Sequence, residues 1–282
     1  MARRKKIRKR RLKDLKRLII VGAWCVLVVI ILFFVLKAAV RNSLDKHRLE
    51  SAKQLRDQLE KVKIPNDIDN MTISYTGFTV YYNSRYHIPN CTVYELTRQE
   101  LEGEVNRVGS FETDSTVEGC ARPWDYTLSG YERGHMVPAG DLKWSERAMM
   151  QSFKMTNVCP QVKALNEGGW TKLEEKVREW ASRDSAVIVV TGPILTSGMK
   201  RIGGLRIAVP TRFFKIVLSP FGETVKAIGF IYPNRSSNRP LEDYVVPIDK
   251  IETLTGLDFF DALPNDLEKD IESQVSLNLW TR

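Results

Sequence analysis

The 282-residue chain is 43% hydrophobic and 27% charged, an ordinary globular composition that excludes a disordered protein and a multi-spanning membrane protein. Its net charge of +9 resembles a nucleic-acid-binding signature until the charges are placed. Of 43 Lys/Arg and 34 Asp/Glu, eleven basic residues and one acid, Asp14, fall in residues 1 to 17, leaving 32 against 33, so the rest of the chain carries −1 and its charge is no argument for nucleic-acid binding.

After this basic tail, Leu18 to Leu36 is nineteen residues without a charge. As a helix rising about 1.5 Å per residue it reaches ~28 Å, close to the hydrocarbon thickness of a bilayer. We expect one transmembrane anchor at 18–36, with the tail at 1–17 cytoplasmic and the chain after Lys37 extracytoplasmic. A cleaved signal peptide usually has a shorter apolar region and an Ala-x-Ala site, and a mitochondrial targeting segment is amphipathic rather than uniformly apolar. A mitochondrial membrane is the alternative location. From 37 to 65 the chain is charged and helix-prone, and Ala52, Leu55, Leu59 and Val62 form a short heptad-like stripe that ends at Ile64-Pro65. This reads as a helical stalk, which leaves 66–282 for one large single-core domain.

Beyond the stalk, strands are expected at Phe78 to Tyr82, Thr92 to Leu96, Ala186 to Thr191, Arg206 to Val209, Phe213 to Leu218 and Val225 to Tyr232, all rich in β-branched and aromatic residues. Helices are expected at Glu146 to Phe153, from about Leu165 to Arg183, and at Ile248 to Thr255. Strands outnumber helices without regular alternation, which favours an α+β fold with an antiparallel sheet. Cys25 lies in the anchor. Cys91, Cys120 and Cys159 stand 29 and 39 residues apart and form no CxxC pair, so small buried residues is their simplest reading and a structural zinc site is disfavoured.

Only three histidines exist. His47 lies in the stalk, and His87, in an expected strand connection before Ile88-Pro89, reads as structural. His135 stands in Tyr131-Glu132-Arg133-Gly134-His135-Met136. In an extended strand Arg133 and His135 point to the same side. A guanidinium and an imidazole presented together suit phosphodiester hydrolysis, where a base near neutral pKa activates water and a fixed cation faces the phosphate. A hydrogen-bonded structural histidine is the competing reading.

In Leu165-Asn166-Glu167-Gly168-Gly169-Trp170, a wheel of about 100° per residue centred on Asn166 places Leu173, Trp170, Val177 and Trp180 within roughly 40° of it. Asn166 thus falls mid-stripe on the apolar face, Glu174 at its edge, and Arg178 one turn beyond Glu174. A buried amide is satisfied by ordinary hydrogen bonds or by a ligand. Magnesium keeps several waters, so one Asn carbonyl could hold it, whereas zinc would need several nitrogen or sulfur ligands. Gly168 and Gly169 early in the helix read as a close backbone approach or a frayed helix start.

The set Ser129 to Met136, Thr156-Asn157-Val158-Cys159-Pro160-Gln161, Leu165-Asn166, Trp170 and Leu173-Glu174 resembles the DNA/RNA non-specific endonuclease family, endonuclease G-like members of the ββα-metal (His-Me finger) superfamily. The likeness runs from roughly Phe78 to Phe260. It implies a ββα-metal core within an antiparallel sheet, cutting DNA and RNA with Mg2+ or Mn2+. By motif position it implies His135 as general base, Asn166 as metal ligand and Arg133 as a cation near the phosphate. Asn157 and Glu174 match positions that support metal-bound waters, Arg178 matches a basic position on the same helix, and Arg107 is the candidate for an upstream arginine that stabilises the transition state. The family commonly has Asp where this chain has Glu132, which keeps the charge and lengthens the reach. DNA and RNA are the expected substrates, and a homodimer and a protein inhibitor are further partners left open. Two other readings predict no turnover: a catalytically silent membrane-anchored nucleic-acid-binding protein, and a membrane scaffold whose basic tail binds anionic lipid or cytoplasmic nucleic acid.

Overall fold

The computed structural model describes residues 37, 41, 54–221 and 224–281. The chain divides into two units, Met1–Arg56 and Asp57–Arg282, and the second holds every element below. The expected tail at 1–17, the anchor at 18–36 and most of the stalk lie outside the described residues. Among the described residues no helix is long and apolar enough to cross a membrane.

The strands are β1 (Val62–Lys63), β2 (Met71–Tyr75), β3 (Phe78–Asn83), β4 (Ile88–Thr97), β5 (Glu132–His135), β6 (Val158–Gln161), β7 (Ala186–Pro193), β8 (Arg201–Ile202), β9 (Ile207–Ala208), β10 (Arg212–Ser219), β11 (Lys226–Pro233), β12 (Val245–Val246) and β13 (Asp258–Phe259). The helices are α1 (Glu146–Ser152), α2 (Thr171–Asp184), α3 (Ile248–Thr255) and α4 (Asn265–Ser273). Seven strands form one sheet in the order β12-β11-β10-β7-β4-β3-β2, and every pairing in it is antiparallel.

The central strands read as unbroken apolar runs because both faces of the sheet are covered. Along β7, Val187 and Val189 join one core while Ile188 and Val190 join the other, and β10 divides Phe213 and Val217 from Phe214, Ile216 and Leu218 in the same way. The first core takes Leu173, Val177, Trp180 and Ala181 of α2 together with Met136 and Val158 beside the β5–β6 ribbon. The second takes Ile248 and Ile251 of α3, Ile271 of α4, and Phe259 of β13. The β5–β6 ribbon pairs antiparallel, and α2 follows it on the same side of the sheet, so a ββα unit stands over the first core.

Three expectations change. The start of the compact unit moves from 66 to Asp57: Leu59 is fully buried and Val62 is 6% exposed in the second core, and Val62 pairs with Phe259 between β1 and β13. The stripe read as a stalk is therefore, at its end, core of the domain. The helix expected from Leu165 is broken. Residues Leu165–Trp170 form one wide π-type turn with non-helical backbone at Gly168, and the α-helix begins at Thr171. At Gly169 a Cβ would meet the Ser237 carbonyl oxygen at 2.5 Å, so close backbone approach, rather than fraying, accounts for that glycine. The strand expected at 206–209 shrinks to Ile207–Ala208, while β1, β2, β6, β8, β12, β13 and α4 are additional.

Candidate active site

β5 delivers the central histidine. In register with β6, Glu132 faces Gln161, Gly134 faces Cys159 and His135 faces Val158. Gly134 is needed because a Cβ there would lie 2.0 Å from Gln161 Oε1. Arg133 and His135 share the other face of the strand, and both rest on Phe111: the Arg133 guanidinium carbon is 5.0 Å from the ring centre and the His135 ring is 5.0 Å from it. Phe153 closes the second side of the imidazole, edge-on at 5.1 Å, and Arg107 lies over Phe153 at 5.3 Å. Burial first, and the Arg107 charge second, lower the His135 pKa to about 3, so the ring is neutral at pH 7. Its Nε2 is buried and has no hydrogen-bond partner among the described residues. A neutral imidazole beside two guanidinium groups can accept a proton but does not hold one beforehand.

Asn166 is half-buried, because the break at Gly168 takes it off the apolar stripe that the continuous wheel predicted. Its Nδ2 donates to Glu132 Oε2 at 2.8 Å, so Glu132 spans the gap from β5 to the turn before α2 despite being a methylene longer than Asp. This fixes the amide with its carbonyl oxygen unbonded among the described residues. Asn157 is used differently. Its Oδ1 accepts from Val137 N at 2.9 Å while its Nδ2 donates to Val137 O and Ser152 O, both at 2.9 Å. Fully buried, this amide braces the main chain just after His135 and is turned to protein rather than to solvent.

Behind these lies a charged network on α2. Arg178 Nη1 donates to Asp141 Oδ1 at 2.8 Å, and Tyr94 Oη donates to Asp141 Oδ2 at 2.6 Å. Burial pushes the Glu174 carboxyl up to about 7, with Lys215 and Arg178 opposing the rise and Asp141 adding to it. Lys215 is fully buried in β10, its Nζ donating to Thr191 Oγ1 at 2.9 Å and lying 4.9 Å from the Trp170 ring centre. Burial holds the Lys215 ammonium below its usual range, and Glu174 pulls it back. Arg107, Lys143 and Arg178 line one open hollow together with Gly140, a cationic surface beside the histidine.

The Endonuclease_NS family, DNA/RNA non-specific endonuclease, matches residues 55–266. The chain belongs to this endonuclease family. It is 29% identical to "Nuclease 1, mitochondrial" of Schizosaccharomyces pombe, covering 77% of this chain and 74% of that one. It is 32% identical to "Endonuclease G, mitochondrial" of Bos taurus, covering 70% of each. A chain in the crystal structure of an EndoG/EndoGI complex superposes with a TM-score of 0.66 at 28% identity, covering 70% of this chain and 89% of that one. The protein is a nuclease, a hydrolase of phosphodiester bonds.

Within this endonuclease the structure brings together Arg107, Arg133 and His135 around Phe111 and Phe153, and links Glu132 to Asn166 and Arg178 to Asp141. Sequence reasoning missed Phe111, Phe153, Asp141, Gln161 and Lys215. Lys215 carried a signal: it is the one charge inside the apolar run Phe213 to Leu218. Gln161 carried a weaker one as the polar end of Val158–Gln161, where it is fully buried. The two phenylalanines and Asp141 had none, because their roles arise from long-range contacts.

Proposed function

We propose that the protein is a metal-dependent, sugar-non-specific endonuclease in which His135 is the general base and Asn166 holds the metal, Mg2+ or Mn2+. The observation that carries this reading is the half-buried, neutral His135 set beside Arg107 and Arg133. The residues fit a hydrated ion. Among the described residues no cluster of three His, Cys, Asp or Glu gathers at His135, and Asn166 offers a single carbonyl oxygen held in place by Glu132. An ion that keeps most of its waters matches so sparse a donor set, and zinc does not. When bound, the ion would supply a fixed positive charge for the scissile phosphate and its leaving oxygen.

The chain's own groups then divide the work. The His135 ring takes a proton from the attacking water, which its lowered pKa permits at any pH above the acid range. Arg133 and Arg107 offset the charge that builds on the phosphoryl oxygens. Asn157 keeps β5 in line through the Val137 main chain, and Glu132 orients Asn166. Glu174 and Arg178 sit together behind the site, where a carboxyl titrating near neutrality can order water.

A plasmid and an RNA transcript incubated with the full chain, with and without magnesium, test the reading. We expect both to be cut only with metal, and His135→Ala to lower the rate by about 10²–10⁴-fold, the usual contribution of a general base, with unchanged circular dichroism. Metal-independent cutting, or a fully active His135→Ala, would remove the assignment. Absence of any cutting would favour the silent binding protein. The relatives from Schizosaccharomyces pombe and Bos taurus are named as mitochondrial, which favours a mitochondrial membrane for the anchor expected at 18–36. The likeness to a chain from a complex concerned with EndoG inhibition supports a protein inhibitor as a partner.

A further inference from the structure

On the sheet face away from His135, α3 and α4 bring three carboxylates together. Asp249, Glu252 and Glu272 each place one oxygen within 4.8 Å of the others. Asp249 and Glu252 are three apart and so share a face of α3. Asp249 is exposed and Glu252 half-buried, whereas Glu272 is only 5% exposed. The helices cannot separate to relieve this crowding, because Ile251 and Ile271 anchor them in the second core.

Glu272 makes the cluster more than an acidic patch. Its Oε1 is buried with no hydrogen-bond partner among the described residues, an arrangement that costs free energy unless something positive fills it. The surroundings are acidic. Glu252, Glu268, Asp249 and Asp258 all act on Glu272 in the same direction as burial, which together bring its carboxyl up to about 8. Burial first, then Asp258, Asp249 and Glu268, bring Glu252 up to about 7, although its Oε1 accepts from Phe259 N at 2.8 Å. Lys63, the cation acting on this corner, is paired with Asp258 at 3.0 Å.

We propose that Asp249, Glu252 and Glu272 form a binding site for a hard divalent cation, calcium, separate from the nuclease centre. The donors are all carboxylate oxygens, the set such ions select. Three carboxylate oxygens gathered this closely can turn on one ion, and calcium's flexible oxygen shell accepts their irregular placement, where magnesium demands near-ideal octahedral geometry. Exposed Asp249 leaves room for the waters that complete the shell. A bound ion would fasten α4 to α3 and so to the sheet.

The test uses the full chain carrying Asn166→Ala, so that the proposed nuclease metal site does not contribute, stripped of metal and titrated with calcium. Calorimetry should report one site that is occupied by about 1 mM calcium, and calcium should raise the thermal midpoint. Adding Asp249→Asn, at an exposed position that does not threaten folding, or Glu272→Gln should weaken binding at least about tenfold and remove the midpoint shift. Glu272→Gln should also raise the midpoint without calcium, since it replaces a buried, crowded carboxyl with a neutral amide. No binding by the Asn166→Ala chain, or the same affinity after both carboxylate changes, would overturn the proposal.

Discussion

At His135, burial and the Arg107 guanidinium both oppose protonation, whereas at Glu174 burial favours it. The two residues therefore tilt stability in opposite pH windows. For His135 the unfolded ring titrates near ~6.5 and the folded one at about 3, so its contribution is complete above the first value and lost as pH falls through the second. For Glu174 the folded carboxyl is raised to about 7, so its contribution is complete below the unfolded value near ~4.5 and lost as pH rises through neutrality. Thermal midpoints measured from pH 4 to pH 9 check both. His135→Gln should blunt the loss of stability on the acid side, and Glu174→Gln the loss above neutrality. Parallel curves for a variant and the parent would show that the environment of that residue differs from the one described.

At the scale of elements, β5 works because Gln161 of β6 occupies the space that a side chain at 134 would need. Gly134→Ala should cost about 1–3 kcal/mol, as overpacking of a close-packed site does, and should lower activity by shifting His135. Adding Gln161→Ala should return part of that stability, so a urea-denaturation cycle that gives strictly additive losses would refute the contact. The sheet itself was legible: Ala186 to Thr191 and Phe213 to Leu218 are apolar, β-branched runs bounded by turns, and both are central strands. The Arg133–His135 pairing was legible too, because strand alternation places side chains two apart on one face. The exposure of Asn166 was not. The wheel assumed a continuous helix, and the break at Gly168 depends on Ser237, far along the chain, meeting Gly169. The saturated amide of Asn157 was equally hidden, since its partners are main-chain groups of Val137 and Ser152.

For the whole molecule, the domain begins earlier than the proline at position 65 implies. Leu59 and Val62 sit in the second core, and fully burying each such side chain contributes about 1.5–3 kcal/mol. A fragment spanning 57–282 should therefore be more stable to denaturant than one spanning 66–282 by at least about 3 kcal/mol, and equal midpoints would show that the β1 segment is dispensable. The ladder between β4 and β7 has a consequence for how such an enzyme could arise. Thr97 faces Ala186 across neighbouring central strands, and every residue assigned a role in cleavage, from Arg107 to Arg178, lies on the excursion between them. The chemistry enters and leaves the sheet through one doorway about 5 Å wide. The excursion is no loose insertion, because Leu173, Val177 and Trp180 on it fill the first core against the strands that frame it. The sheet answers with one charge of its own, the ammonium of Lys215, reaching up from β10 to face Glu174.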